Sequence, residues 1–378
     1  MVTELSILSG LSPLAPLPLM RPRLPDADAL LPYLRQIDQA RIYSNNGPLS
    51  QRFARRMEAH FDVAEGCVLP VGSGTAGLTA ALLCFGFARG GLCMVPDWTF
   101  PASLNAVFAA GLTPYLVDVD AASWALTPDI AERALALAPA PVVAVMPVSP
   151  FGAPLPMDQW ESFRRETGVA VVADTAAAFD GTVASTVPQV ISLHATKAFG
   201  IGEGGLVICR DTAFVGNVLA AINFGFKGTR VPVVHALNGK LSEYHAAVGL
   251  AALDEWPDRR RRLWATGKAM RAALRGISEL EMMDGWAERW ISNTLVIASR
   301  GEMAAACLER ALAEDGIETR RWWPVVMHQE APFRDCPHLD APVAQTLRDA
   351  VIGLPFMEGM TDDEVARVGR TVGRALTG

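Results

Sequence analysis

Three stretches of this chain carry residue types that do chemistry together. Lys197 lies in Ile191-Ser-Leu-His-Ala-Thr-Lys-Ala-Phe-Gly-Ile-Gly-Glu-Gly-Gly205, where a short apolar run, Val190 to Leu193, gives way to a small-residue turn and then to a second apolar run, Leu206 to Cys209. A lysine shielded from water at such a strand end loses proton affinity, and its free amine attacks a carbonyl to form a Schiff base. Asp174 closes the run Val169-Ala-Val-Val-Ala-Asp174, the pattern of a buried parallel strand that delivers one acid at its carboxyl end. In open α/β sheets that edge is where ligands bind. Gly72-Ser-Gly-Thr-Ala-Gly77 follows a strand-like run and opens a helix-like one. Its backbone N–H groups and the helix dipole suit a phosphate.

Each feature has an ordinary reading when taken alone: a solvated lysine, a buried acid, a tight turn. Together they supply a lysine for an aldehyde, an acid for a pyridinium nitrogen and a cradle, Ser73 to Ala76, for one phosphate, which are the parts that hold pyridoxal phosphate. A rival exists, because residues 72–77 also match the dinucleotide fingerprint G-x-G-x-x-G, with Asp97 about where a ribose-binding acid belongs. That rival, a nicotinamide- or flavin-dependent oxidoreductase, leaves Asp174 and the Ser192/Lys197 turn without a role. Pyridoxal phosphate uses all of them.

Positioning such groups takes a sheet with helices on both sides. From Val68 onward, strand-like runs (68–71, 92–96, 114–117, 142–148, 169–173) alternate with helix-like ones (75–88, 102–111, 128–137, 157–167), which predicts βαβ units and a largely parallel sheet. A helix over 49–61 precedes them, introduced by the turn Arg41-Ile-Tyr-Ser-Asn-Asn-Gly-Pro48. After Asp211 the pattern changes: 220–239 reads as loop, 241–253 as helix, and Trp256-Pro257 as a break. We expect a large α/β domain over 1–255, with an irregular lead to about Arg23, and a smaller α+β domain over 256–378.

Composition narrows the class. With 378 residues, 51% hydrophobic and 19% charged, the chain has ample core for a soluble globular protein. Its net charge of −7 argues against non-specific nucleic-acid binding. The six cysteines show no C-x-x-C pair and no metal spacing and mostly sit in apolar runs, which suggests buried free thiols in a reducing compartment. Glu4 and early prolines, with no basic leader, argue against a secretory signal and for a cytoplasmic protein. The uncharged stretch Ala134 to Met157 is broken by six prolines and so is no membrane span.

The ordered motifs resemble the DegT/DnrJ/StrS-type sugar aminotransferases of the aspartate aminotransferase (fold type I) class. They are Tyr43–Pro48, Gly72–Gly77, Pro96-Asp-Trp-Thr-Phe-Pro101, Val117-Asp-Val-Asp120, Phe151-Gly152, Asp174, Ser192–Lys197 with Gly202–Gly205, Asn223–Phe226, Asn238-Gly-Lys-Leu-Ser-Glu243, and Thr319–Pro324 with His328. The resemblance implies a three-layer fold type I transferase with pyridoxal 5'-phosphate joined to Lys197, which also shuttles the proton. Asp174 would hold the ring nitrogen protonated and Phe100 would stack on the ring, with Trp98 competing for that place. Gly74, Thr75, Ala76 and Ser192 would bind the phosphate, joined by Asn238 from the neighbouring subunit of a homodimer. Lys240, His328 and Arg230 would approach the substrate, a nucleotide-linked 4-keto-6-deoxyhexose. An amino acid, L-glutamate, would donate nitrogen, placing the chain in deoxyamino-sugar biosynthesis for a polysaccharide or antibiotic. His194 and His245 read as structural, and no metal is implied.

Two positions depart from that pattern. Asp174-Thr-Ala-Ala177 has alanine where the resemblance places glutamine or histidine against the cofactor's phenolic oxygen, and Asp180 stands where glycine is usual. The first gives footing to a third alternative, a non-catalytic paralogue that binds cofactor or sugar nucleotide.

Overall fold

The computed structural model describes residues 15–299 and 305–377. Glu4 and the first part of the irregular lead lie outside the described residues. Helix α1 (Ala27–Ala40) begins where Asp26 accepts the Ala29 N–H at 3.0 Å; the sequence reading had not anticipated it. Helix α2 (Pro48–His60) has its proline in the first turn, where the missing N–H costs nothing. The α/β alternation follows: β1 (Val68–Val71), α3 (Gly74–Leu83), β2 (Leu92–Pro96), α4 (Pro101–Ala109), β3 (Thr113–Val117), α5 (Pro128–Leu135), β4 (Val142–Val145), α6 (Met157–Thr167), β5 (Ala170–Val171), β6 (Ala173–Asp174), β7 (Gln189–Ser192) and β8 (Gly205–Ile208).

Sheet pairing runs β3-β2-β4-β5 and β6-β7-β8-β1. A parallel bridge between Val148 and Asp174 joins the two halves into one central sheet. Only β8 runs antiparallel within it, to β7 on one side and β1 on the other. The carboxyl ends of β1, β2, β6 and β7 therefore share one edge, and β8 starts there, with Gly205 opposite both Val71 and Ser192. Both faces are buried: Leu206 and Ile208 enter one core while Val207 enters the other. That double burial is why these strands read as unbroken apolar runs.

Helix α7 (Thr212–Ala221), also not anticipated, is capped by Asp211, which accepts the N–H groups of Ala213 and Phe214. Helix α8 (Glu243–Leu274) overturns the expected break at Trp256-Pro257, for it runs straight through with Pro257 inside. Proline in a helix interior costs about 3 kcal/mol. Packing outweighs that cost here, since Trp256 sits edge-on to Phe179 and Phe199 at 5.1 and 5.5 Å. The C-terminal part holds an antiparallel sheet of β9 (Leu280–Met282), β10 (Leu295–Ser299) and β11 (Val351–Leu354), with α9 (Ala305–Glu314), α10 (Pro342–Ala350) and α11 (Asp362–Thr377). Leu17 pairs with Ile317, and the Leu19 carbonyl accepts the Phe356 N–H, so the lead threads onto this part. No helix among the described residues is long and apolar enough to cross a membrane.

Candidate active site

Asp174 ends β6 at the ligand-binding edge, 5% exposed. Ser103 Oγ donates to its Oδ2 at 2.7 Å and the Ala176 N–H to its Oδ1 at 3.1 Å. Burial lifts this carboxyl above the ordinary carboxylate range, against the pull of the Ser103 hydroxyl, the Ala176 N–H and the Lys197 charge. Burial also holds the Lys197 amine below the ordinary lysine range, with Asp174 pulling the other way. The two groups thus lie within electrostatic reach, each tuned by lack of water. That pairing of a titratable acid and amine displaced by burial is the mark of a functional site. Lys197 follows a turn in which its N–H donates to the His194 carbonyl at 2.8 Å, and it borders a cavity with Thr196, Trp256, Arg259 and Asn293. Asn293 Nδ2 donates to the Thr196 carbonyl and pins that turn.

The glycine motif opens α3. Ser73 caps it, accepting the Ala76 N–H at 3.1 Å, and the Gly77 N–H donates to the Ser73 carbonyl. The N–H groups of Gly74 and Thr75 have no acceptor among the described residues, as the first donors of a helix do unless a cap or ligand takes them. Ser192 lies against them, and a Cβ on Gly74 would come within 3.2 Å of the Ser192 Cβ. A Cβ on Gly205 would strike the Gly74 nitrogen at 2.8 Å. Glycine at 205 is therefore a matter of space. The cradle thus offers two free backbone donors and a hydroxyl beside them, which suits a phosphate; Ala76 offers no free N–H, since its own is taken by Ser73.

Phe100 precedes α4 and is 59% exposed, whereas Trp98 is 1% exposed. Trp98 packs edge-on to Trp124, Phe151 and Trp323 and donates its indole N–H to the Trp323 carbonyl at 2.9 Å. Burial removes Trp98 from the stacking role. The dinucleotide reading also fails, because Asp97 is fully buried and both its oxygens are engaged by His328: the backbone N–H at 2.8 Å and Nδ1 at 2.5 Å. With no exposure, this carboxylate does not reach a ribose.

A model of the DegT/DnrJ/EryC1/StrS aminotransferase family matches residues 26–373. The chain belongs to this family. A dTDP-4-amino-4,6-dideoxy-D-glucose transaminase of Shigella dysenteriae is 26% identical, over 94% of this chain and 98% of that one. Among solved structures, a putative PLP-dependent aminotransferase from Bacillus cereus superposes with a TM-score of 0.88 at 26% identity, covering 95% of this chain and 100% of the other. DesI, solved in the presence of its TDP-sugar product, superposes with a TM-score of 0.82 at 30% identity, covering 96% and 93%. As a member of the DegT/DnrJ/EryC1/StrS family, the chain is a fold type I aminotransferase whose cofactor is pyridoxal 5'-phosphate. The orphan N–H pair, the buried acid, the half-buried lysine and the exposed Phe100 ring fit that cofactor.

Around this DegT-type centre lies an outer ring of expected substrate groups. Lys240 Nζ donates to Asn238 Oδ1 at 2.7 Å and sits 4.1 Å over the Phe224 ring. Burial lowers its proton affinity. The Gly72 N–H donates to the Gly239 carbonyl at 2.6 Å, and Val71 bridges to Lys240, so this segment lies beside the chain's own glycine turn. Arg230 lies on an exposed excursion between Phe226 and Pro232, which bridge each other, and it makes no side-chain hydrogen bond among the described residues. The structure does not bring Arg230 into contact with Lys197 or Asp174.

The structure accounts for one departure from the family pattern. Asp180 is almost wholly buried and accepts from Arg260 of α8 and from Trp264 Nε1 at 3.1 Å. Its carboxylate ties a 3-10 turn to the long helix, a task glycine cannot do. Ala177 has no side-chain donor to offer a cofactor's phenolic oxygen, and its carbonyl oxygen lies 2.6 Å from where a Cβ on Gly152 would stand. His194 bonds its own turn through Thr196 Oγ1 at 2.9 Å, and His245 bonds Ser242 at the start of α8 at 2.9 Å. Sequence reasoning missed Ser103 and the partnering of Asp97. A small hydroxyl within a helix and an acid within a resembling motif carry no signal until the fold brings them to their partners.

Proposed function

We propose that this chain transfers an amino group from an amino acid, L-glutamate, to the ketone of a sugar, a nucleotide-linked 4-keto-6-deoxyhexose, working as a cytoplasmic homodimer. The observation that carries the reading is the pairing of Lys197 and Asp174, both displaced by burial, beside a helix N-terminus with two unclaimed donors. The substrate class draws on the transaminase and TDP-sugar relatives. Six free cysteines are consistent with a reducing compartment. Ile42, Tyr43, Phe224, Val231, Val233 and Tyr244 are exposed on segments next to the site, the kind of apolar patch a second subunit covers.

Pyridoxal phosphate supplies an electrophilic aldehyde and a ring that accepts electrons when its nitrogen is protonated. Asp174 would hold a proton at that nitrogen, with its own two oxygens fixed by Ser103 and Ala176. Lys197, its amine neutral at lower pH than a free lysine, would hold the cofactor through its aldehyde and, once freed by the donor, would carry the proton of the transfer at Nζ. Gly74 and Thr75 N–H groups and the Ser192 hydroxyl would bind the phosphate, and Asn238 of a second subunit would complete it. Phe100, exposed beside the site, would cover one ring face. His328 and Lys240 orient the sugar, and Arg230 closes over its diphosphate from the exposed excursion.

Purified protein with added pyridoxal phosphate should show a visible absorbance band, and borohydride reduction should fix the cofactor on the peptide bearing Lys197. L-glutamate should discharge the band, and a screen of keto-sugar nucleotides by mass spectrometry should find an aminated product. A protein that remains colourless with the cofactor, or that keeps its band with every amino donor, would overturn the proposal.

A further inference from the structure

His328 is held on three sides. Its backbone N–H and its Nδ1 engage the two oxygens of the fully buried Asp97 at 2.8 and 2.5 Å. One face of its ring stacks on His338 at 4.8 Å and 14°. His338 is itself fixed, since its Nδ1 lies 3.1 Å from the Cys336 carbonyl, which only accepts. The edge of the His328 ring carrying Nε2 is therefore the part left for its remaining 15% side-chain exposure. The same short segment serves the cofactor site: Asp97 holds His328, Phe100 presents its ring, and Ser103 bonds Asp174.

We propose that Asp97 is a positioning residue for the acceptor half of the reaction: it fixes His328 in the Nδ1–H tautomer, so that Nε2 presents a lone pair to a hydroxyl of the keto sugar. A carboxylate accepts, so the imidazole proton sits on Nδ1. With Nδ1 committed, Nε2 of the neutral ring accepts from a sugar hydroxyl and does not donate to the ketone. His338 and the Asp97 carboxylate are the titratable groups in contact with the ring, and both restrain its rotation. This rests on the functional reading above in one respect only, that His328 faces the sugar.

The test reads the ring nitrogens directly. In protein labelled with ¹⁵N-histidine, with the His328 signal assigned by loss in His328→Gln, the wild type should show a pyrrole-type Nδ1 and a pyridine-type Nε2 at a pH where the ring is neutral. Asp97→Asn keeps the shape but places an amide donor against Nδ1, so the two signatures should exchange, as for an aspartate that sets a histidine tautomer. With a dTDP-linked 4-keto-6-deoxyhexose as acceptor, Asp97→Asn should raise the acceptor KM about 10-fold or more, the usual scale for loss of an orienting partner. The loss should be larger in the acceptor half than in discharge of the visible band by L-glutamate. A wild-type ring carrying its proton on Nε2, or ring signals unchanged in Asp97→Asn, would overturn the proposal, and so would equal losses in both halves. Failure of the wild type to use the sugar probe would count against the functional reading, while the ring nitrogens would still decide the role of Asp97.

Discussion

At the level of single residues, burial displaces both Asp174 and Lys197 from their ordinary ranges. Asp174 is held above the ordinary carboxylate range chiefly by loss of water. A folded-state value raised in this way favours the neutral form, so its contribution is fully present below the unfolded carboxyl value and is lost as pH rises through the raised one. The cofactor-free protein should therefore melt at a lower temperature near neutral pH than Asp174→Asn, with the difference vanishing in acid. The same variant should lose about 10²–10³-fold in transamination, the scale for removing one charge-stabilising group. Cofactor-free Asp174→Asn melting below the wild type at every pH would show that the carboxylate is structural. Lys197→Ala should abolish turnover and borohydride fixation, yet still bind pyridoxal phosphate reversibly in equilibrium dialysis, because the phosphate cradle is intact. The buried thiols are inert by the same physics: burial pushes Cys84 up to about 12 and Cys209 to about 11.

At the scale of elements, the site depends on close approaches between a strand, a turn and a helix start. Gly205→Ala would force its Cβ against the Gly74 nitrogen and the Ser73 carbonyl carbon at 2.8 and 2.9 Å, both backbone atoms with little freedom to yield. Its cofactor affinity, read by titration of the visible band, should fall about tenfold or more, with global stability reduced by about 1–3 kcal/mol, the usual cost of overpacking. Glu243 joins two elements, since its buried carboxylate accepts the Leu49 and Ser50 N–H groups at 2.8 and 2.9 Å while its own N–H donates to the Tyr43 carbonyl. It caps α2 from the first turn of α8. Glu243→Ala leaves two buried donors unmet and should cost about 1–3 kcal/mol in urea denaturation. Because the 43–48 turn is held from the same residue, that variant should also weaken substrate binding more than it slows turnover.

For the whole molecule, the proposed homodimer would cover the exposed side chains near the site. Tyr43 and Tyr244 stack at 6.3 Å, and both are about half exposed. Light scattering should find a dimer, and Tyr244→Glu should shift it toward monomer with loss of activity if, as proposed, Asn238 reaches the site from across the interface. A fully active monomer would refute that arrangement. The sequence by itself determined the alternating elements, the sheet's carboxyl edge and the residues gathered there, because strands buried on both faces must be apolar throughout and a phosphate cradle needs glycine in a fixed order. It did not show that α8 runs through Pro257, because the packing of Trp256 against Phe179 and Phe199 that outweighs a proline is a contact between distant residues. Nor did it separate Phe100 from Trp98 or give Asp97 and Asp180 their partners. Those choices rest on which side chain loses its water and which donor lies 80 to 231 residues away, and only the tertiary structure brings such groups together.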